Sequence, residues 1–163
     1  MTIRIAQTGD LPAINEIYNK AVRQRFCTAH LSEISMDDRK AWFRAHDHGR
    51  FPVFVAENDN HIDGWVSLGA YRQDRQALAH VAEVTYYVDE KERGKGLGSR
   101  LLEHALKVAP EFGFSVLIAI LLDKNPASIA LLDKHGFERW GTMPGIALIE
   151  GVKADHLYYG VKL

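Results

Sequence analysis

A single cysteine, Cys27, stands among 163 residues, so an internal disulfide framework is excluded and a reducing compartment fits the chain best. Excess charge of either sign is also missing, with 20 Lys and Arg against 21 Asp and Glu. Without a global positive field, neither nucleic acid nor an anionic membrane surface is an expected partner. No apolar run approaches the roughly 20 residues of a membrane span. The opening Met1-Thr2-Ile3-Arg4-Ile5-Ala6 lacks the charged-then-apolar layout of a secretion signal. Internal repeats, linkers and low-complexity tracts are absent too. These exclusions predict a soluble, cytoplasmic chain in which residues 1–163 form one domain with a core of its own.

What is present is apolar periodicity of two kinds. Ile3 and Ile5 alternate with polar neighbours, as in a short strand, and end at the turn Gln7-Thr8-Gly9-Asp10. Leu11, Ile14, Ile17, Tyr18, Ala21 and Val22 then recur at helical spacing, with Pro12 tolerated in the first turn. A second helix is expected from Ser35, where Ser35 and Asp38 resemble a capping box, with Trp42 and Phe43 facing inward. Val53, Phe54, Val55 and Ala56, the turn Asn58-Asp59-Asn60-His61 and the apolar stretch 62–71 read as a hairpin. In the next strand, Val81–Val88, alternation puts Val81, Glu83, Thr85 and Tyr87 on one face, so that face carries a carboxylate.

Residues 97–109 carry Leu97, Leu101, Leu102, Ala105 and Leu106 on one helical stripe. Val116–Leu122 is apolar throughout, as in a strand covered on both faces, so strand, helix and strand suggest a parallel crossover at the centre of the sheet. Asn125-Pro126 is a strong helix start, and Gly136 is placed to stop that helix. The remainder reads as two strands around a loop at 144–152.

Between the strand ending at Val88 and the helix beginning near Leu97 lies Arg93-Gly94-Lys95-Gly96-Leu97-Gly98-Ser99. Glycines at every second position let a backbone turn tightly and approach a ligand without Cβ atoms in the way. At a helix start, the free N–H groups and the macrodipole make a site for phosphate or diphosphate. A dinucleotide fingerprint would sit in the first strand-helix unit of a larger domain, whereas only about 65 residues follow this turn. A nucleotide P-loop needs Gly-Lys-Ser/Thr at the helix head, and here Lys95 precedes its glycine. A flexible turn without a ligand is the remaining alternative.

The residues around the turn resemble the GNAT superfamily of acetyltransferases, whose diphosphate signature Gln/Arg-x-x-Gly-x-Gly/Ala is matched by Arg93, Gly96 and Gly98. Asn125 matches the Asn that opens the family's next helix, and Gly136-Phe137 its end. Ile17-Tyr18-Asn19, Trp42-Phe43, Glu83 with Tyr87-Val88, and Trp140-Gly141-Thr142-Met143-Pro144-Gly145 are similar to the phosphinothricin and methionine sulfoximine acetyltransferase branch.

The resemblance implies a mixed α/β fold, with a splayed, mostly antiparallel sheet, flanking helices and a central parallel β-α-β crossover. It implies acetyl-coenzyme A as cosubstrate, held by the backbone of Tyr86, Tyr87 and Val88, by Arg93, Gly94, Lys95, Gly96, Leu97, Gly98 and Ser99, and by Asn125. It further implies transfer to the amine of an amino acid or analogue, Val88 N–H as oxyanion donor, and a homodimer. An ammonium must lose a proton before it attacks a thioester, and Glu83 is the candidate base. A carboxylate-bearing acceptor favours an arginine, and Arg72, next to Tyr71, is the candidate.

Two departures from the branch are visible. The tyrosine that many members carry seven residues after the matching Asn is Leu132 here, so no general acid is assigned. The branch pattern Lys-x-Gly-x-Trp-x-Asp is replaced by Glu150-Gly151-Val152-Lys153-Ala154-Asp155. Acetylation of a protein N-terminus or lysine, and a non-catalytic acyl-coenzyme A-binding module, therefore stay open as alternatives. Cys27 reads as a small buried hydrophobe rather than an acetyl carrier. His46-Asp47-His48 lacks further ligands at metal spacing, so no metal is expected.

Overall fold

The computed structural model describes residues 1–46 and 49–163. The elements in chain order are β1 (Thr2–Ile5), α1 (Leu11–Arg23), α2 (Met36–Ala45), β2 (Val53–Asn58), β3 (His61–Ala70) and β4 (Val81–Val88). There follow α3 (Leu97–Val108), β5 (Val116–Leu122), α4 (Pro126–Lys134), β6 (Glu138–Ile149) and β7 (Val152–Lys162). All seven strands form one sheet in the order β1-β2-β3-β4-β5-β7-β6. Every neighbouring pair is antiparallel except β4 and β5. The mixed, mostly antiparallel sheet and its parallel β4-α3-β5 crossover are those expected from the sequence.

Alternation along the strands divides the core in two. On one face, Val53, Val55 and Trp65 meet Leu11, Ile14, Ile17, Tyr18 and Val22 of α1 and Phe43 of α2. On the other, Phe54, Ala56, Val66, Leu68, Ala82 and Val84 meet Leu97, Leu101, Leu102 and Ala105 of α3. The apolar stripes read from the sequence are thus the buried faces of α1 and α3. The Ser35 hydroxyl accepts the Asp38 N–H at 3.1 Å and so caps α2, while the Asn125 side chain accepts the Ser128 N–H at 3.2 Å and caps α4.

The feature that positions the site is a short parallel pairing. β4 and β5 are in register at only three rungs, Val81↔Val116, Ala82↔Leu117 and Glu83↔Ile118. Beyond them β4 stays with β3 as far as Val88, and β5 stays with β7 as far as Leu122. The sheet therefore splits into a V between the second halves of β4 and β5. Along both inner edges, backbone groups lack a strand partner and need one from elsewhere.

Two expectations require correction. Residues 144–152 are not a loop: β6 continues to Ile149 and the connection is only Glu150-Gly151. Both turn residues have positive φ, 50° and 81°, the geometry of a two-residue hairpin turn whose twist matches its strands. Pro144 is absorbed at a register shift between Met143 and Ala147, where a missing N–H breaks no ladder bond. β5 is also not covered by helices on both faces. Leu117 and Ala119 face the α3 core, but Ile120 and Leu122 line a cavity.

Candidate active site

Asp89 anchors the turn after β4. Its N–H donates to Asp63 O at 2.8 Å, and its carboxylate accepts Lys91 N–H at 3.0 Å and Lys20 Nζ at 2.7 Å. Burial opposes ionisation of Asp89, yet the Lys20 ammonium and the Lys91 amide hold its carboxyl below the usual range. The chain then passes Gly94 and Gly96 at φ 73° and 83°, and α3 begins at Leu97. The first amides of a helix have no intrahelical acceptor. A Cβ built at Gly94 or Gly96 would meet nothing within 4 Å, so these positions leave the approach to the amides open.

Above this turn the V of the sheet encloses a cavity of about 560 Å³. Its sides are residues 84–88 of β4 and 119–121 of β5, and its far end is Asn125 and Ser128 at the start of α4. The Tyr86 hydroxyl lies 3.1 Å from Ser128 Oγ, and burial pushes this phenol up to about 12. Free amides at the mouth and a narrow slot between two strand edges suit a diphosphate with a linear amide-bearing arm.

A second cavity of about 600 Å³ opens on the opposite face of the sheet. Glu83, Thr85 and Tyr87 enter it from β4, Arg39 and Trp42 from α2, and Trp65 from β3. Cys27, Thr85, Tyr87, Ile120 and Leu121 line both cavities, so the two meet at the split. Glu83 makes no side-chain hydrogen bond or ion pair among the described residues, and burial pushes its carboxyl up. Tyr18 Oη lies 2.8 Å from Thr28 Oγ1 and also contacts His30 Nδ1. Burial also raises the Cys27 thiol, against a smaller opposing pull from Arg93, which keeps it protonated rather than nucleophilic.

The acetyltransferase (GNAT) family model matches residues 12–137. The chain belongs to the GNAT family of acetyltransferases. YwnH of Bacillus subtilis (strain 168), provisionally named a phosphinothricin acetyltransferase, is 40% identical over 100% of this chain and 99% of its own length. An L-methionine sulfoximine/L-methionine sulfone acetyltransferase of Salmonella typhimurium is 32% identical over 100% of this chain and 95% of its own. Among solved structures, a GNAT superfamily phosphinothricin acetyltransferase from Sinorhizobium meliloti in complex with AcCoA superimposes with a TM-score of 0.93. It is 29% identical and covers 99% of this chain and 88% of that one.

In this GNAT acetyltransferase the fold gathers most of the residues singled out in the sequence. Tyr86, Tyr87, Val88, Arg93, Gly94, Gly96, Leu97, Gly98, Ser99 and Asn125 all line the first cavity, and Glu83 lines the second. Lys95 lines neither, its ammonium being paired with Glu92 at 3.0 Å. Tyr71 and Arg72 also line neither: they follow β3, whose Gly69 and Ala70 pair with Glu83 and Ala82, and Arg72 is exposed with its guanidinium 5.6 Å from the Tyr71 ring. Leu132 is buried in the first cavity's wall and presents no hydroxyl there.

Among the described residues, no group of three or more His, Cys, Asp or Glu could hold a metal; Asp47 and His48 of the His46-Asp47-His48 stretch lie outside them. No described helix is long and apolar enough to cross a membrane.

Sequence reasoning missed Arg39. It points inward on α2 and lines the second cavity, with its guanidinium 4.7 Å from the Tyr18 and Trp42 ring centroids. The available signal was its spacing, three positions before Trp42 and four before Phe43 on the same helical face.

Proposed function

We propose that the chain, acting as one domain over residues 1–163, transfers the acetyl group of acetyl-coenzyme A directly to the amine of an amino acid or analogue. The observation that carries this reading is the junction of the two cavities: amides without acceptors border one, and an unpaired carboxyl lines the other. The substrates for which the relatives are named, methionine sulfoximine, methionine sulfone and phosphinothricin, support an amino-acid acceptor.

Amides 94–99 hold the diphosphate, Tyr86, Tyr87 and Val88 border the pantetheine arm, and Asn125 contacts it. Glu83, kept partly protonatable by burial, takes a proton from the acceptor's ammonium, directly or through a water. The freed nitrogen attacks the thioester carbon while Val88 N–H donates to the developing oxyanion. The C–N bond forms, the C–S bond breaks, the nitrogen gives up its second proton to solvent, and the thiolate takes its proton from solvent, since Leu132 offers none.

Purified protein mixed with acetyl-coenzyme A and L-methionine sulfone should release free thiol, and Glu83→Gln should lower kcat about 10²- to 10⁴-fold while leaving the KM for acetyl-coenzyme A nearly unchanged. No thiol release with amino acids, sulfoximines or polyamines would defeat the reading; greater activity on peptides would transfer it to protein acetylation. A parent that binds the coenzyme without turnover would be an acyl-coenzyme A-binding module.

We place this activity in the cytoplasm and in a homodimer. Ile146 and Leu148, each 61% exposed on the edge strand β6, support self-association, and light scattering of the purified protein at twice the monomer mass would bear it out.

A further inference from the structure

Among the described residues, Arg39 is the one Lys or Arg that lines the acceptor cavity, and no carboxylate pairs with it. It is 3% exposed, and burial pulls its guanidinium below the ordinary value. Nε donates to Asn15 Oδ1 at 3.1 Å. Nη1 and Nη2 make no hydrogen bond among the described residues, yet they are not among the nitrogens sealed from solvent. Arg39 is among the residues that line the cavity. No carboxylate of the described residues lies within ion-pair distance. The neighbouring Asp38 accepts the Ser35 hydroxyl at 2.6 Å instead.

A buried guanidinium without a counter-ion is costly, because desolvation is not repaid by an ion pair. Stacking against Tyr18, Trp42 and Trp65, whose ring centroids lie 4.7, 4.7 and 5.8 Å away, offsets part of that cost and fixes the plane of the fork. It leaves the two outward nitrogens aimed at nothing the chain supplies. A planar pair of donors on a rigid mount matches a carboxylate in bidentate fashion. The Asn15–Arg39 bond and the ring stack hold this fork at one wall of the cavity that Glu83 also lines.

We propose that Arg39 binds the carboxylate of the amino-acid acceptor. This rests on the acetyltransferase reading above and adds the residue that selects within it. Arg39 is a binding residue, not a participant in proton transfer. Arg72, exposed beyond β3, is the rival anchor.

The experiment compares L-methionine sulfone with 3-(methylsulfonyl)propylamine, the same molecule without its carboxylate, on wild type, Arg39→Met, Arg39→Lys and Arg72→Ala. Wild type should favour the acid. Arg39→Met should lose about 10- to 100-fold in kcat/KM on the acid, mainly through KM, the size expected for a charged hydrogen-bond partner. Its rate on the carboxylate-free amine should change less than about 3-fold. Arg39→Lys, which keeps the charge without the fork, should recover part of the loss.

Equal losses on both probes with a lowered melting temperature would make Arg39 a packing residue and overturn the proposal. So would a selective loss confined to Arg72→Ala, or a wild type indifferent to the carboxylate. If neither probe is turned over, calorimetric titration of L-methionine sulfone into the coenzyme-bound protein separates the two ideas: heat in wild type that vanishes in Arg39→Met keeps the subsite while the catalytic reading falls, and no heat in wild type removes the subsite.

Discussion

At the residue scale the proposed reaction turns on Glu83. Its side chain stands on the face of β4 that the sequence alternation assigned to it, in a cavity that no other described carboxylate shares except Asp38. Burial raises its pKa from the ordinary 4.5, so the base form appears only at higher pH than an exposed glutamate would allow. The rate should therefore rise with pH through an inflection above that ordinary value, and Glu83→Gln should abolish that inflection. The same shift has a stability consequence of opposite sign to the usual salt-bridged carboxylate. With the folded pKa above the unfolded one, the unfolded state loses its proton first, so stability falls as pH climbs from the unfolded value through the folded one. Glu83→Gln should consequently melt higher than wild type at pH 7 while turning over more slowly; a lower melting temperature would show that the carboxylate has a partner.

At the scale of elements, the outer hairpin β6-β7 carries local detail that periodicity could not convey. Between Arg139 and Gly141 the register slips by one residue, and the slip re-aims Trp140 over the face of Gly160. A Cβ at Gly160 would lie 2.2 Å from the Trp140 ring. Because Trp140 is 45% exposed, the ring has room to swing away, so Gly160→Ala should cost about 1 kcal/mol, near the low end for overpacking. Expected results are a melting temperature lower by about 2–4 °C and a red shift in part of the tryptophan emission. The long helices were easier to read. In α1 and α3 the apolar positions repeat over several turns, each repetition pointing to the same buried face. α2 is shorter and mostly polar, so little in its own segment marks Arg39; only the aromatic rings brought by α1 and β3 turn it into part of a cavity.

For the whole molecule, the split sheet links stability to ligand. On the proposed site, backbone edges left unpaired in the V gain partners from acetyl-coenzyme A, and binding to the folded state alone shifts unfolding by mass action. At about 100 times Kd the gain is about 2.7 kcal/mol. For a chain of this size that corresponds to a melting temperature higher by about 5–10 °C, measurable by scanning calorimetry, whereas coenzyme A fragments lacking the diphosphate should do much less. An unchanged melting temperature at saturating coenzyme would contradict the site.

The amino-acid order by itself determined the helices with repeating apolar stripes, the alternation that puts Glu83 on one face of its strand, and the glycine-spaced turn ahead of a helix. Each is a local property, set by the steric freedom of a few neighbouring residues or by a period of 2 or 3.6. Tertiary structure alone decided how far β4 and β5 stay paired, and hence where the sheet opens. It also decided that two cavities meet there, and that a buried arginine with no carboxylate of its own stands in one of them. Strand separation and charge compensation depend on what lies across space from a residue, and neighbours distant in the chain leave no periodic mark on the segment they complete.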